Sequence, residues 1–185
     1  LVPAGTARNG LIIGMTVGHA KSLQQAIKGV ATSPYVQGQL METGTSIAKT
    51  SPVVASASTL AGQGVGGFNL GMGLMSHSGV TPRFLTDARK VLNRADRAGF
   101  DLAISTHIGM VTRVAPPSLK NPAERVGYYA ANGMRGAGPK MKVAMMTKVA
   151  KNPAAKKGAT LAIVQITEAR KGLWHRIKKV LGLAA

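Results

Sequence analysis

The residues of this chain best equipped for chemistry are its cations. Arg89, Lys90, Arg94 and Arg97 fall within one short stretch, and Lys140, Lys142, Lys148, Lys151, Lys156 and Lys157 form a longer basic run. Lysine and arginine at this density neutralise phosphates without reading a base sequence. A run of charges usually marks a solvated face. Here twenty-four lysines and arginines meet only six carboxylates, for a formal net charge of +18, so a solvated face leaves most of the charge uncompensated. The self-repulsion of such a chain calls for an anionic partner, either nucleic acid or an anionic membrane.

Groups for covalent or metal chemistry are sparse. The chain has no cysteine, and His19, His77, His107 and His175 show no ligand spacing, so neither a metal nor a cofactor is expected. Asp87 and Asp96 sit among Arg89, Lys90, Arg94 and Arg97, where helix charge pairing accounts for them. The remaining acids, Glu42, Asp101, Glu124 and Glu168, are scattered. His107 near Arg113 is the one candidate general base, in the manner of a metal-independent nuclease. Two glycine patterns resemble phosphate loops. Gly62, Gly64 and Gly67 match G-x-G-x-x-G but lack a buried strand before them. Residues 14–22 carry Lys21-Ser22 after an apolar run, but Ala20 stands where a P-loop needs glycine. Packing glycines and a small-residue turn explain both more simply.

The elements that position the cations follow from the distribution of charge. Residues 1–82 hold four basic residues and one acid, whereas residues 83–185 hold twenty and five. Residues 50–82 carry no charge at all and are rich in glycine. Within them, residues 53–75 have the length of a membrane span, and Ser58, Gly62 and Gly66 have small-xxx-small spacing. Their serines, Gln63, Asn69 and glycines favour a close-packing arm over a span.

Residues 1–10 read as an extended arm and residues 11–17 as a short apolar run. A helix from Ser22 to about Ala31 is ended by Ser33-Pro34, and residues 36–49 give a weaker helical pattern. Thr86 is placed as the N-cap of a helix closed by Gly99. Residues 102–114 alternate as a strand ended by Pro116-Pro117, and residues 161–166 read as a buried strand. Residues 143–149 fit either a strand or a basic helix. The chain ends in an amphipathic helix whose Leu173, Trp174, Ile177 and Leu181 face a partner subunit or a membrane surface.

The expected architecture is α+β. A small-residue-rich, extended and helical N-terminal half (residues 1–82) precedes a basic domain (residues 83–185) with a small sheet and flanking helices. No secretory signal is legible, and an opening Leu1 fits a processed product or a fragment. The absence of cysteine suits a reducing or disulfide-independent compartment, such as the interior of a virus particle. The expected function is that of a non-enzymatic basic structural component of a nucleic-acid-containing assembly, a virion or ribonucleoprotein, packed against other subunits. A membrane-active protein using residues 53–75 and the terminal helix, and a basic nuclease-type toxin domain, are the alternatives.

Overall fold

Six of the helices described below begin at a short dipeptide that ends in proline. Ser33-Pro34, Ser51-Pro52, Thr81-Pro82, Asn121-Pro122, Gly138-Pro139 and Asn152-Pro153 each place proline in the first turn. There its fixed φ suits the helix and its missing N–H is not needed. In all but Gly138-Pro139 the preceding side chain accepts from the orphan amides. Thr81 Oγ1 takes the Phe84 N–H at 3.2 Å, and Asn152 Oδ1 takes the N–H groups of Ala154 and Ala155 at 3.0 and 3.1 Å.

The structure is a computed structural model and describes residues 33–77 and 80–183. The helices are α1 (Pro34–Thr50), α2 (Pro52–Ala61), α3 (Val65–Met75), α4 (Pro82–Lys90), α5 (Arg94–Thr112), α6 (Pro122–Gly133), α7 (Pro139–Val149) and α8 (Pro153–Val180). Two 3₁₀ turns, Gly62–Gly64 and Met134–Gly136, lead into α3 and out of α6.

No strand occurs among the described residues, 83% of which are helical. The expected α+β class is therefore corrected to all-α. Residues 102–114 lie mostly in α5, residues 143–149 in α7 and residues 161–166 in α8. The apparent alternation in α5 arose because this helix is flanked on two sides. Gly99, Phe100, Leu102, Ala103, Ser105, Thr106 and Gly109 are all buried, so no single apolar stripe is left to read. The helix expected over residues 86–99 divides into α4 and α5. Asn93 caps the second of these, while the Thr86 hydroxyl donates to the Pro82 carbonyl inside the first. Ser33-Pro34 starts α1, with Ser33 as its N-cap. The arm over residues 1–10, the apolar run, the helix from Ser22 and the P-loop-like pattern lie outside the described residues.

What holds the helices together is backbone meeting backbone. Along α1 and α3, Gly44 faces the Asn69 carbonyl and Gly73 faces that of Leu40. Between α3 and α5, Gly67 faces the Asp96 carbonyl and Gly99 faces that of Gly64. The same reciprocal arrangement joins α5 to α6 through Gly109 and Gly133, and α6 to α8 through Gly127 and Gly158. At each position a Cβ would overlap the opposing carbonyl oxygen. The residue pairings make α1–α3, α5–α6 and α6–α8 antiparallel, while Gly64 against Ala95 and Gly71 against Phe100 and Ala103 make α3–α5 parallel, with α4 as the return.

The larger side chains fill the spaces between these seams. Phe68, Met72, Leu102, Val126, Met145 and Val149 belong to one core cluster; Leu40, Leu74, Phe84 and Phe100 belong to a second. No helix among the described residues is long and apolar enough to cross a membrane. Residues 53–75, the candidate span, are broken by the turn at Gly62, whose φ of 55° only glycine adopts readily.

The seams make opposite demands on different glycines. Gly158→Ala must push α8 off the Glu124 carbonyl and is expected to cost about 1–3 kcal/mol. A Cβ at Gly38 or Gly172 meets nothing within 4 Å. Alanine there should stabilise by about 0.5–1 kcal/mol through helix propensity. Thermal or urea unfolding of the three variants checks the contrast; equal effects at all three positions would refute the seams.

Candidate nucleic-acid interface

The cations of α4 and α5 are placed by a relay of caps. Asn93 Oδ1 accepts from the Asp96 N–H at 2.9 Å, and its amide donates to Asp96 Oδ2 at 2.7 Å. Asp96 Oδ1 in turn accepts from the Gly67 N–H of α3 at 3.0 Å. One carboxylate thus sits in the first turn of two parallel helices, where both macrodipoles favour it. Next along α5, Arg97 donates to the Arg89 carbonyl at 3.2 Å and to the Lys90 carbonyl at 2.7 Å. A cation therefore closes the C-terminal end of α4. Arg89 itself forms a two-pronged pair with Asp101, at 2.7 and 2.9 Å. Asp101 is only 12% exposed, and this pair raises the Arg89 pKa.

With Asp101 committed to Arg89, Arg94, Arg97, Lys140, Lys148 and Lys151 form no ion pair among the described residues. A cavity of 260 Å³ opens between α5 and α7, lined by Arg89, Arg94, Arg97, Asp101 and Lys148, with Ala98, Ala144 and Met145 as apolar walls. A second pocket, which shares Ala144 and Lys148 with it, reaches Lys151 beside the Gly62–Gly64 turn. A third, which shares Arg89, Asp101 and Ala144, reaches Lys140 and Pro139, and the three adjoining pockets form the groove. Six cations from three helices and their flanks, Arg89, Arg94, Arg97, Lys140, Lys148 and Lys151, thus line one groove whose only carboxylate is Asp101. Burial, reinforced by the charge of Lys151, pushes the Lys148 pKa below its ordinary value. An anion in the groove would reverse that shift.

The remaining sequence candidates fall elsewhere. Lys90 pairs with Asp87 at 3.0 Å on the exposed side of α4. Lys157 pairs with Glu124 at 2.7 Å across the α6–α8 seam and holds that carboxyl below its usual range, helped by the backbone N–H groups at the start of α6. Lys142 on α7 is half-buried and Lys156 on α8 is exposed; neither lines the groove. Leu173, Trp174, Ile177 and Leu181 are exposed on the far end of α8.

His107 is half-buried on α5, where desolvation lowers its pKa, and its Nδ1 has no hydrogen-bond partner. Arg113, which an extended strand would have placed on the same side, lies beyond the end of α5. The G-x-G-x-x-G glycines are used for packing: Gly64 and Gly67 face α5, and the Gly67 N–H is already taken by Asp96. Among the described residues, no three His, Cys, Asp or Glu side chains are grouped to hold a metal ion.

Sequence reasoning missed Asp101 as the groove's single counter-charge and Ala98, Ala144 and Met145 as its walls. A strand reading of residues 102–114 separated Asp101 from the helix that carries Arg94 and Arg97. No protein-family model matches the chain, and neither a curated protein nor a solved structure matches it.

Lys148 gives the groove a pH signature. A lysine whose folded pKa is depressed costs stability while it is charged; that cost fades as pH rises through the lowered value toward 10.5. Lys148→Met is therefore expected to raise the melting temperature at neutral pH while weakening phosphate binding. Calorimetry with and without inorganic phosphate reads both; a variant that is less stable and binds phosphate unchanged would contradict the assignment.

Proposed function

We propose that the protein is a non-enzymatic, basic structural component of a nucleic-acid-containing assembly, and that the groove between α5 and α7 holds the phosphate backbone. The observation that carries this reading is the convergence of Arg89, Arg94, Arg97, Lys140, Lys148 and Lys151 on one groove containing a single acid, which Arg89 already neutralises. The cations line three adjoining pockets that share Ala144, which suits several phosphates of a polymer better than one small anion. Its apolar walls lower the local dielectric and strengthen each charge–phosphate interaction.

The surroundings support contact without sequence readout. The groove offers no asparagine or glutamine pair for a base edge; Gln63 at one end is its one side-chain amide. Tyr128, an aromatic that could have stacked on bases, is buried against Tyr129 and donates to Gln165. Recognition through phosphates alone suits a protein that coats or condenses a genome. A net charge of +18 adds long-range attraction and makes the compact state depend on counter-anions. Packing against other subunits belongs to the same reading, since a coat is built from many copies.

Fluorescence anisotropy with unrelated DNA and RNA oligonucleotides over a range of salt tests this. Binding should be insensitive to sequence, and log K should fall linearly with log salt. Arg94→Ala and Lys148→Ala should each lower the magnitude of that slope by about 0.7–0.9. Absence of binding at low salt, or a slope unchanged in both variants, would refute it.

A further inference from the structure

Helix α8 outruns the other described helices. Its 28 residues span about 42 Å at 1.5 Å per residue, but its buried positions, Ala155, Gly158, Ala159 and Ala162, all lie in the first half. The last side-chain tie to another helix is the hydrogen bond from the Tyr128 hydroxyl to Gln165 at 3.1 Å. Residues 167–183 are exposed on every face.

The apolar face that α8 lays on α6 does not stop there. It continues as Leu173, Trp174, Ile177, Val180 and Leu181, with exposures of 59, 61, 38, 86 and 62%. These five residues occupy roughly a third of the helix circumference at 3.6 residues per turn. Lys171, Arg176, Lys178 and Lys179 flank or oppose the stripe, and Lys178 Nζ lies 6.0 Å from the Trp174 ring. Arg170 stands above the stripe one turn earlier, where its long stem lets the guanidinium reach outward. Glu168 is the only acid in residues 167–183, against five cations.

This composition selects the occupant. A second copy of the helix would bring like charge against like charge at close range. A nucleic acid would satisfy the cations and leave Leu173, Trp174, Ile177 and Leu181 in water. An anionic lipid surface meets both requirements, taking the apolar stripe among the acyl chains and the lysines at the headgroups. Tryptophan beside lysine suits the boundary between those layers. We propose that residues 167–183 form an interfacial anchor that lies on an anionic membrane surface while the rest of the protein stays outside it. The anchor is separate from the α5–α7 groove and does not rest on that site's function.

Trp174 is the only tryptophan, so the intact chain reports on its own anchor. With vesicles of equal parts phosphatidylglycerol and phosphatidylcholine, its emission should shift to the blue and become protected from acrylamide. Vesicles of phosphatidylcholine alone should have little effect. The double variant Leu173→Ser, Ile177→Ser should lower partitioning by about tenfold or more, while Arg94→Ala in the groove should leave it unchanged. The exposed positions keep both variants folded, which circular dichroism checks. Any of three results would overturn the proposal. Emission could stay unshifted by anionic vesicles at low ionic strength. It could move with protein concentration alone, marking a second copy. It could already be blue and quencher-protected in the free chain, marking a cover from within.

Discussion

Among the described residues, α1, α3, α5, α6 and α8 are held where a glycine lets a carbonyl of the neighbouring helix approach its Cα. Four seams of this kind run in series from α1 through α3, α5 and α6 to α8, each with a glycine from both partners. A seam glycine costs about 1 kcal/mol in helix propensity, and backbone approach must offset it. Contacts from Cα–H to carbonyl, about 0.5–1 kcal/mol each, and dispersion over a close interface supply that offset. This explains how a chain with only 4% aromatic residues builds a core. It gains from proximity what it lacks in side-chain area.

The groove depends on those seams. Because α3 and α5 run parallel at close range, their N-terminal ends lie together and Asp96 caps both. That fixes the first turn of α5, and with it Arg94 and Arg97. Arg97 then fastens the end of α4, which carries Arg89 to Asp101. The one acid that could quench the groove is consumed by the residue that shapes its wall. Lys148, drawn partly out of water beside Lys151, keeps an unfavourable charge that a bound anion would relieve.

Much of this was legible in the sequence, though not the fold class. The cations that line the groove stand out by their excess over acids, and the solvent-facing stripe of α8 is plain in its spacing. The strands over residues 102–114 and 161–166 were read from β-branched residues and alternation. Tertiary burial on two sides of α5, and the exposed end of α8, overrode that local pattern. The proline signals were visible but were not used as helix starts. Ser33-Pro34 and Thr81-Pro82 each open a helix through the residue before the proline. The glycines of residues 62–73 read as a close-packing arm, but which helices they join stayed hidden, because a Cα-to-carbonyl contact leaves no trace in one helix alone. It becomes visible only with its partner, as in Gly64 with Gly99.

The central claim is that the seams deliver six cations to one groove that takes a phosphate backbone. It is tested most directly by amide and methyl NMR of the intact chain titrated with a short oligonucleotide. The account predicts perturbations concentrated at Arg94, Arg97, Ala144, Met145, Lys148 and Lys151, with Lys156, Lys157 and the far end of α8 little changed. Perturbations confined to α8, or spread evenly over every lysine and arginine, would contradict it.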